Sequence, residues 1–440
     1  MTTTLDDQLL LAVSQSVEAQ LGLHYPRERW SDLERGLCGA ATELGIESVE
    51  DYARELVIGK LSRAQVDSLA AHLTIGETYF FRDPAVFDAL PGLVQEARPG
   101  AKRLRIWSAG CCTGEEPYSI AIALRRAIPD LDQWQITILA TDINPRFLSK
   151  AVAGVYGQWS FRGVPEATRS AYFRRTPENR FEILPAIRKM VTFACLNLVE
   201  DVYPSLANST NALDLIVCRN VLMYFSREKL RKVVAGFHRS LAAGGRLIVS
   251  ATEASGEFFP EFAPGEIPGV ALYRKAAPPV VAPPPVPVPV PLPEPVQLPA
   301  KAEPELAAAP RDHAADARRL ANEGNLAEAL AACDRALEAD RLVAAHHYLR
   351  GVILQEQNAP DEAVAALKRA LYLDSDFVLA HFALGHLLLR QDRKSDAARS
   401  FANARSLLRS RAPGDVLPES GGITAGRLLA ILTSTEEALT

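Results

Sequence analysis

The chain has 440 residues, 48% hydrophobic and 23% charged, which suffices for two or three globular domains. Its net charge of −5 argues against non-specific nucleic-acid binding, because neutralising phosphates requires surplus lysine and arginine. Since no run of 18 apolar residues occurs and the chain starts with acids rather than a basic signal-peptide region, we expect a cytoplasmic protein without membrane insertion. The six cysteines lack metal-ligand spacing, which predicts reduced thiols and no metal site.

The first 75 residues are predicted to form helices. Apolar side chains recur at helical spacing, at Leu5, Leu9, Val13, Val17 and Leu21. Three helix starts carry a capping-box pattern, in which a serine precedes by three residues a side chain that can bond back: Ser31 with Glu34, Ser48 with Asp51, and Ser62 with Gln65. These patterns predict an N-terminal helical domain over residues 1–85.

From about residue 104, apolar strands alternate with helices. The candidate strands are LRIWSAG, ITILATD, the start of LDLIVCRNVLMYF, and RLIVSAT, with the stretches EEPYSIAIALRRAI and SREKLRKVVAGFHRSL as helices. This alternation predicts a doubly wound α/β domain with a mostly parallel sheet over residues 86–275. Such sheets bind ligands at the carboxyl ends of their strands.

Residues 276–311 are predicted to form a proline-rich linker. The stretch 276–310 holds 13 of the 30 prolines, and proline removes a backbone donor and fixes φ. We expect an extended polyproline II tether that reaches roughly 100 Å, at about 3.1 Å per residue, and decouples the C-terminal residues from the core. The alternative is a ligand for a proline-recognising domain.

Small residues then recur every 34 residues, at Ala329, Ala363 and Ala397, at Ala336, Ala370 and Ala404, and at Ala317, Gly351 and Gly385. A helical period of this length is typical of tetratricopeptide repeats. We therefore predict an all-α tetratricopeptide domain over residues 312–410 that docks a protein partner, and a C-terminal tail over 411–440. The alternative is that the repeats only stabilise the chain.

The turn after the first strand combines glycines with acids. Gly110 and Gly114 let the backbone approach a ligand closely. Glu115 and Glu116 suit a helix start but would repel a pyrophosphate, so they favour cationic S-adenosylmethionine over a dinucleotide. Asp142 ends the second strand, where an acid can accept hydrogen bonds from both ribose hydroxyls. An ordinary βα turn remains the alternative.

Polar residues interrupt two apolar segments. Arg219 and Asn220 break LDLIVCRNVLMYF, near Asp214 and Tyr224, and buried polar groups require a ligand or a local network such as a helix cap. Upstream, LTIGETYFFRDPAVF places Arg82 among aromatic residues. Its guanidinium can pair with a carboxylate, and aromatic faces can stabilise a sulfonium. A plain salt bridge is the alternative for this arginine.

Five strings in order carry a family resemblance: TxxETYFFRD, WSAGCCTGEEPYSIAI, LATDINP, NL at 197–198, and CRNVLMYF. Residues 5–275 resemble the chemotaxis receptor methyltransferases of the CheR type. The resemblance implies a class I, Rossmann-like methyltransferase domain behind an N-terminal helical domain, with a small antiparallel β subdomain within about 172–196. The repeats resemble the WspC-like branch, which serves non-flagellar chemosensory systems.

The resemblance also implies the site residues. S-adenosylmethionine would be contacted by eight residues: Thr78, Arg82, Glu116, Asp142, Asn197, Leu198, Arg219 and Asn220. Arg82 and Tyr224 would act near the transferred methyl group. Many family members have asparagine at the position of Gly76, so one side-chain contact to the cofactor is absent here or is supplied by Glu77.

The predicted reaction is methyl transfer from S-adenosylmethionine to glutamate side chains of a methyl-accepting chemoreceptor, giving methyl esters and S-adenosylhomocysteine. A glutamate with a pKa near about 4.3 is already ionised at neutral pH, so it needs no general base. Two alternatives remain open. One is a repeat scaffold with a cofactor-sensing core, and the other is an N-methyltransferase, whose lysine substrate would have to lose a proton.

Overall fold

The computed structural model describes residues 5–97, 102–200, 202–276 and 312–437. The predicted linker therefore lies, apart from residue 276, outside the described residues. Across these four ranges, no helix has both the length and the apolar character needed to cross a bilayer. The described part of the chain contains no cluster of three or more potential metal ligands, and all six cysteines are free.

Four helices form the N-terminal domain: α1 (Asp7–Leu21), α2 (Trp30–Glu43), α3 (Val49–Ile58) and α4 (Arg63–Leu73). They enclose one apolar core that contains the predicted Val13, Val17 and Leu21. Ser62 forms the predicted capping box, and Ser48 accepts the N–H of Asp51. The predicted cap at Ser31 is wrong, because a 3₁₀ turn over Arg27–Arg29 runs directly into α2 and the chain is already helical there.

The central domain contains α5 (Pro84–Ala97), β1 (Arg103–Ala109), α6 (Glu115–Ala127), β2 (Gln135–Asp142), α7 (Pro145–Ala153), β3 (Val155–Tyr156), α8 (Glu166–Tyr172), β4 (Phe173–Arg175), β5 (Phe181–Ile183), α9 (Pro185–Arg188), β6 (Val191–Cys195), β7 (Leu213–Val217), α10 (Arg227–Ser240), β8 (Leu241–Val249), β9 (Phe262–Pro264) and β10 (Ala271–Lys275). Seven of the strands form one sheet in the order β6-β2-β1-β7-β8-β10-β9. β6, β2, β1, β7 and β8 are parallel, and β10 is antiparallel to both of its neighbours.

Both faces of the sheet are covered, as the near-continuous apolar strands predicted. Along β1, Leu104 and Ile106 face the core under α5 and α6, whereas Trp107 and Ala109 face the core under α10. This alternation of period two buries each strand between two helical layers. The result is the doubly wound α/β fold that positions the ends of β1, β2 and β7 side by side.

A second, three-stranded antiparallel sheet has the order β3-β5-β4. Its strands lie between Val155 and Ile183. β4 and β5 fall within the range of about 172–196 predicted for the β subdomain, whereas β3 precedes that range. β6, within the predicted range, pairs with β2 at the edge of the large sheet instead. β3 has only two residues, too few to show a strand period in the sequence.

The C-terminal residues form three helical hairpins followed by one further helix: α11 (His313–Glu323) with α12 (Leu326–Ala339), α13 (Ala344–Glu356) with α14 (Pro360–Leu373), α15 (Val378–Arg390) with α16 (Lys394–Arg409), and then α17 (Ala425–Glu437). A Cβ atom on Gly351 would lie 2.7 Å from Leu367, and one on Gly385 would lie 2.4 Å from Phe401. The periodic small residues thus allow the helices of a hairpin to pack closely. We call α11–α16 the repeat module.

The repeat module packs against the amino ends of the central strands, contrary to the expectation that the tether decouples it. Glu356, 8% exposed at the end of α13, pairs with Arg103 at 2.6 Å and also with Arg105, both on β1. The side chain of Asn211, which is fully buried before β7, donates to the carbonyl of Ala321 in α11 at 3.3 Å. These ion pairs and this hydrogen bond join residues that are far apart in the chain, so no local sequence pattern indicates them.

Candidate active site

A cleft of about 1010 Å³, counted out to open solvent, lies at the carboxyl ends of β1, β2 and β7. All the predicted site residues line it: Thr78, Arg82, Glu116, Asp142, Asn197, Leu198, Arg219, Asn220 and Tyr224. The structure therefore brings together residues from five separate sequence segments. The binding and catalytic roles assigned to them stay predictions.

Asp142 ends β2 at the base of the cleft and is 9% exposed. One carboxylate oxygen accepts the N–H of Cys112 at 2.9 Å, and the other accepts the N–H of Asn144 at 2.9 Å. Burial raises the pKa of Asp142 to about 6, although the backbone N–H groups act in the opposite direction. The remaining lone pairs can accept hydrogen bonds from two ligand hydroxyls.

Gly110 allows the turn after β1 to pack against Val221, in the segment that follows β7. Its φ of +78° lies in the left-handed region, and a Cβ atom would lie 2.3 Å from Val221.

The two neighbouring acids at the start of α6, Glu115 and Glu116, have different surroundings. Glu116 lines the cleft, whereas Glu115 is 3% exposed and accepts hydrogen bonds from Thr113 at 2.6 Å and Ser160 at 3.0 Å.

Glu116 belongs to a buried charge network. It accepts a hydrogen bond from Ser108 at 2.7 Å and from Arg219 Nη1 at 3.2 Å. Burial raises the pKa of Glu116, and Arg219 and Ser108 offset part of that rise. Arg219 also pairs with Asp83 and donates to the carbonyl of Arg82 at 2.7 Å. Arg219 therefore links the end of β7 to the segment that carries Arg82.

The segment that carries Arg82 has an unusual backbone conformation. Phe81 and Asp83 have φ values of +57° and +58°, which non-glycine residues adopt at a cost. The hydroxyl of Ser119 accepts the N–H of Phe81 at 2.9 Å and fixes the turn. Arg82, which is half-buried, donates to the carbonyl of Glu77 at 2.8 Å and lies over the ring of Tyr79.

Tyr224 lies on a 3₁₀ turn, Leu222–Tyr224, that follows β7. Burial raises the pKa of Tyr224, while the charges of Arg29 and Arg82 lower it. Its phenol is therefore protonated at neutral pH and can donate a hydrogen bond. Arg82 and Tyr224, the two predicted catalytic residues, both line the cleft.

Sequence reasoning missed Glu253, which supports this turn. Glu253 lies after β8, is 9% exposed, and accepts the N–H groups of Asn220 at 2.8 Å and Met223 at 3.2 Å. It also accepts the hydroxyl of Ser250 at 2.6 Å. The only sequence signal is an acid shortly after the last parallel strand. That signal does not reveal its partners thirty residues away.

Asn197 and Leu198 lie at the cleft wall next to the N-terminal domain. The amide of Asn197 donates to the carbonyl of Gln20 at 2.9 Å, so this side chain also joins the two domains. Leu198 is buried among the apolar residues of the core under α10.

The N-terminal domain completes the cleft. It contributes Leu21, Leu23 and Leu73 to the wall. The N–H of His24 donates to the carbonyl of Tyr224 at 2.8 Å, which anchors the domain beside the turn. The cleft is therefore built between two domains, a common location for ligand sites.

The residues present fit S-adenosylmethionine. Carboxylates at Asp142 and Glu116 suit hydroxyl and amine donors and disfavour a phosphate. Nε of Arg219 is buried and has no acceptor among the described residues, so a donor remains beside the cleft. The apolar wall of leucines suits a flat aromatic base.

Comparison with known proteins agrees with the geometry. The family model "CheR methyltransferase, SAM binding domain" matches residues 76–261. A probable chemotaxis protein methyltransferase of Rhizobium etli is 34% identical over 223 residues, which cover 49% of this chain and 81% of that protein. A chemotaxis protein methyltransferase of Vibrio parahaemolyticus is 31% identical over 255 residues, which cover 57% and 90%. The chain belongs to the CheR methyltransferase family.

As a CheR-family protein, the chain is an S-adenosylmethionine-dependent methyltransferase, and S-adenosylmethionine is its methyl donor. The predicted fold class and cofactor are confirmed. A probable biofilm formation methyltransferase WspC of Pseudomonas aeruginosa is 32% identical over 242 residues, which cover 54% of this chain and 55% of that protein. All three relatives are similar to this CheR-family enzyme over roughly half of its length.

Proposed function

We propose that this enzyme methylates glutamate side chains of a methyl-accepting chemoreceptor and so produces glutamate methyl esters. The observation that carries the proposal is that Arg82 and Tyr224 line the same cleft. Two of the relatives are named chemotaxis methyltransferases, which supports a receptor as the substrate. The same resemblance supports a cytoplasmic location.

Eight residues are proposed to hold the cofactor: Thr78, Arg82, Glu116, Asp142, Asn197, Leu198, Arg219 and Asn220. When bound, S-adenosylmethionine supplies an electrophilic methyl group on a sulfonium. Asp142 is suited to orient hydroxyl groups because its two oxygens are themselves fixed by backbone N–H donors. Glu116 is positioned for a cationic group, since Arg219 and Ser108 fix its carboxylate.

Arg82 and Tyr224 are proposed to position the substrate carboxylate. Both can donate hydrogen bonds at neutral pH, and a glutamate carboxylate can accept from both at once. The carboxylate is already ionised, so no side chain has to remove a proton. The contribution of the enzyme is then alignment, for which favourable geometry provides about 7–11 kcal/mol in model reactions.

A carboxylate suits this cleft better than an amine. Arg82 lines the cleft, and its positive charge attracts a carboxylate and repels a lysine ammonium. N-methylation would also need a base to accept the proton of the ammonium. We therefore favour O-methylation over the alternative of an N-methyltransferase.

The chemistry of the product tests the proposal. Incubation of receptor cytoplasmic fragments with enzyme and methyl-labelled S-adenosylmethionine is expected to yield label that is released as methanol in mild base. A base-stable product would instead indicate N-methylation. Mass spectrometry of the fragments would locate the modified glutamates.

Tyr224→Phe is expected to lower kcat by about tenfold or more, because it removes one donor to the carboxylate, and to leave cofactor affinity within about twofold. The matched control is Tyr172→Phe, a change of the same kind in α8 outside the cleft lining. Steady-state kinetics and calorimetry would measure both. Unchanged kcat in Tyr224→Phe would remove Tyr224 from the positioning role.

We also propose that residues 312–410 form tetratricopeptide repeats and dock a protein partner. The 34-residue period and the three helical hairpins support the repeat assignment. Contacts with the catalytic domain involve Ala321 of α11 and Glu356 of α13. A partner is therefore expected on surfaces of the module away from these contacts.

A further inference from the structure

Between α16 and α17 the chain folds into a compact loop. We call residues 411–426, the last two of which begin α17, the tail loop. The N–H of Leu417 donates to the carbonyl of Ile423 at 2.9 Å, and the N–H of Ala425 donates to the carbonyl of Asp415 at 2.8 Å. These hydrogen bonds close the loop on itself, so it can bind or leave a surface as one unit.

The tail loop covers a surface that all three hairpins share. The first helices of the hairpins, α11, α13 and α15, lie side by side, and we call the surface that they form the first-helix face. Glu419 of the loop pairs with Arg318 of α11. The side chains of Leu417 and Ile423 are buried. Both belong to one apolar cluster with residues of α13 and α15: Tyr348, Val352, Val378 and Leu379. An acid between two apolar side chains therefore reaches all three hairpins.

The tail loop leaves part of the first-helix face unfilled. A cavity of about 510 Å³, counted out to open solvent, lies between the loop and the face. The loop borders this cavity with Leu417, Pro418 and Glu419, and the face borders it with Ala344 and Val378. A segment with larger side chains would bury more of this surface.

The charges of the loop are opposite in sign to those of the repeat module around it. At one end, Glu419 pairs with Arg318. At the other end, Arg411 borders the same cavity as Asp374 and Asp376, which lie between α14 and α15. Charge complementarity therefore fixes the direction in which a segment lies across the face.

The tail loop binds the face at some cost to itself. Glu419 has a φ of +63°, in the left-handed region that residues with a side chain rarely adopt. The side chains of Arg318 and Glu419 are 37% and 23% exposed, and ion pairs that water reaches add little to stability. A segment that fills the cavity without this strain would bind the face more tightly than the loop does.

We infer that the tail loop is an internal ligand of the repeat module, and that a protein partner displaces it by docking an acidic turn on the first-helix face. The inference rests on the proposed docking function of the module. The carboxylate of the partner pairs with Arg318, and apolar side chains on either side of it occupy the positions of Leu417 and Ile423. Because the loop is joined to α16, it competes at high effective concentration, and only a better-fitting segment displaces it.

The first test uses a labelled peptide of residues 411–426 and the full chain. In the double variant Leu417→Ser with Glu419→Ala, the internal loop is weakened and the face is unchanged. Fluorescence anisotropy is expected to show that this variant binds the peptide at least about tenfold more tightly than wild type, because its face is more often free. The matched control is Glu338→Ala with Leu342→Ser, at two exposed positions of the repeat module. Equal affinities for the double variant and wild type would overturn the inference.

The second test exchanges the charges of the ion pair. Arg318→Glu is expected to release the tail loop, which hydrogen–deuterium exchange would detect as faster exchange over residues 411–426. The released face should bind a peptide that carries Glu419→Arg and reject the unchanged peptide. Unchanged exchange within α14 would show that the variant is folded. Equal binding of the two peptides to Arg318→Glu would contradict recognition of a carboxylate at this position.

A phage-displayed peptide library, screened against the Leu417→Ser and Glu419→Ala variant, separates this inference from the docking function. Library peptides that compete with residues 411–426 would support the first-helix face as the docking surface. Library peptides that bind without competition, and bind Arg318→Glu equally well, would overturn the inference and leave the docking function standing. A repeat module that binds no peptide at all would refute the docking function itself.

Discussion

Asp142 combines burial with two backbone hydrogen bonds, and the balance between them sets its charge. Burial raises its pKa to about 6, so the free enzyme holds a mixture of protonated and ionised carboxyl groups near that pH. The ionised fraction rises from roughly a tenth at pH 5 to about nine tenths at pH 7. Only the ionised form offers both oxygens as acceptors.

We therefore predict that cofactor affinity falls as the pH is lowered through 6. Between pH 7 and pH 5 the loss should approach about tenfold if only the ionised form binds. Calorimetry near pH 6 in buffers of different ionisation enthalpy should also detect proton release on binding. Asp142→Asn should bind more weakly at pH 7 and show a flatter pH profile.

An affinity of the wild-type enzyme that is equal at pH 5 and pH 7 would contradict this role of Asp142. The sequence indicated the residue, because an acid at the end of a second parallel strand is a local pattern. It did not indicate the raised pKa, which depends on how deeply the folded chain buries that carboxylate.

At the scale of elements, the 3₁₀ turn that carries Tyr224 depends on a residue from another strand. Glu253 accepts N–H groups at both ends of the turn, from Asn220 and Met223. Asn220 has a φ of +58°, so the turn adopts a backbone conformation that needs outside support. Glu253 is a positioning residue, because it acts through Tyr224 and its backbone.

We predict that Glu253→Ala lowers kcat about tenfold or more by releasing the turn, and that it lowers stability, because each orphaned buried donor costs about 1–3 kcal/mol. Glu253→Gln retains one acceptor and should lie between Glu253→Ala and wild type. Kinetics and thermal unfolding would measure these effects. Glu257, an exposed acid nearby in sequence, supplies the control through Glu257→Ala.

Wild-type kcat in Glu253→Ala would show that the turn holds its conformation without Glu253. Sequence patterns predicted most of the elements around it, including β1, β2 and α10, since each has a strong period of its own. The sequence did not indicate that the β subdomain begins at β3, because a strand of two residues carries no period.

At the scale of the whole molecule, a buried charge cluster joins the repeat module to the catalytic domain. The side chain of Glu356 is 10% exposed, and those of its partners Arg103 and Arg105 are 17% and 5% exposed. This one carboxylate pairs with both guanidinium groups. The cluster lies at the amino ends of the strands, opposite the cleft.

We predict that Glu356→Ala destabilises the protein by about 3–5 kcal/mol or separates the two modules, because it removes the carboxylate that pairs with both guanidinium groups across the contact. Thermal unfolding and small-angle scattering would detect these outcomes. Glu338→Ala, at an exposed position of α12, is the matched control.

The Glu356→Ala and Arg105→Ala double variant should cost less than the sum of the two single variants. Strict additivity, together with an unchanged overall shape in Glu356→Ala, would show that the cluster does not hold the modules together.

The sequence by itself determined the class of fold, the cofactor and the residues that line the cleft. The strand and helix periods and the ordered motifs are local, and each carries its own signal. The 34-residue period likewise predicted helical hairpins with small residues at their contacts, as observed at Gly351 and Gly385.

Only the tertiary structure decided how these parts meet. The N-terminal wall of the cleft, the support of the Tyr224 turn by Glu253, and the docking of Glu356 on β1 all join residues far apart in the chain. Such contacts are selected by complementary charge, hydrogen bonding and shape after the elements have formed, and no short-range pattern encodes them. The cleft therefore follows from the sequence motifs, whereas its precise geometry follows from packing between domains.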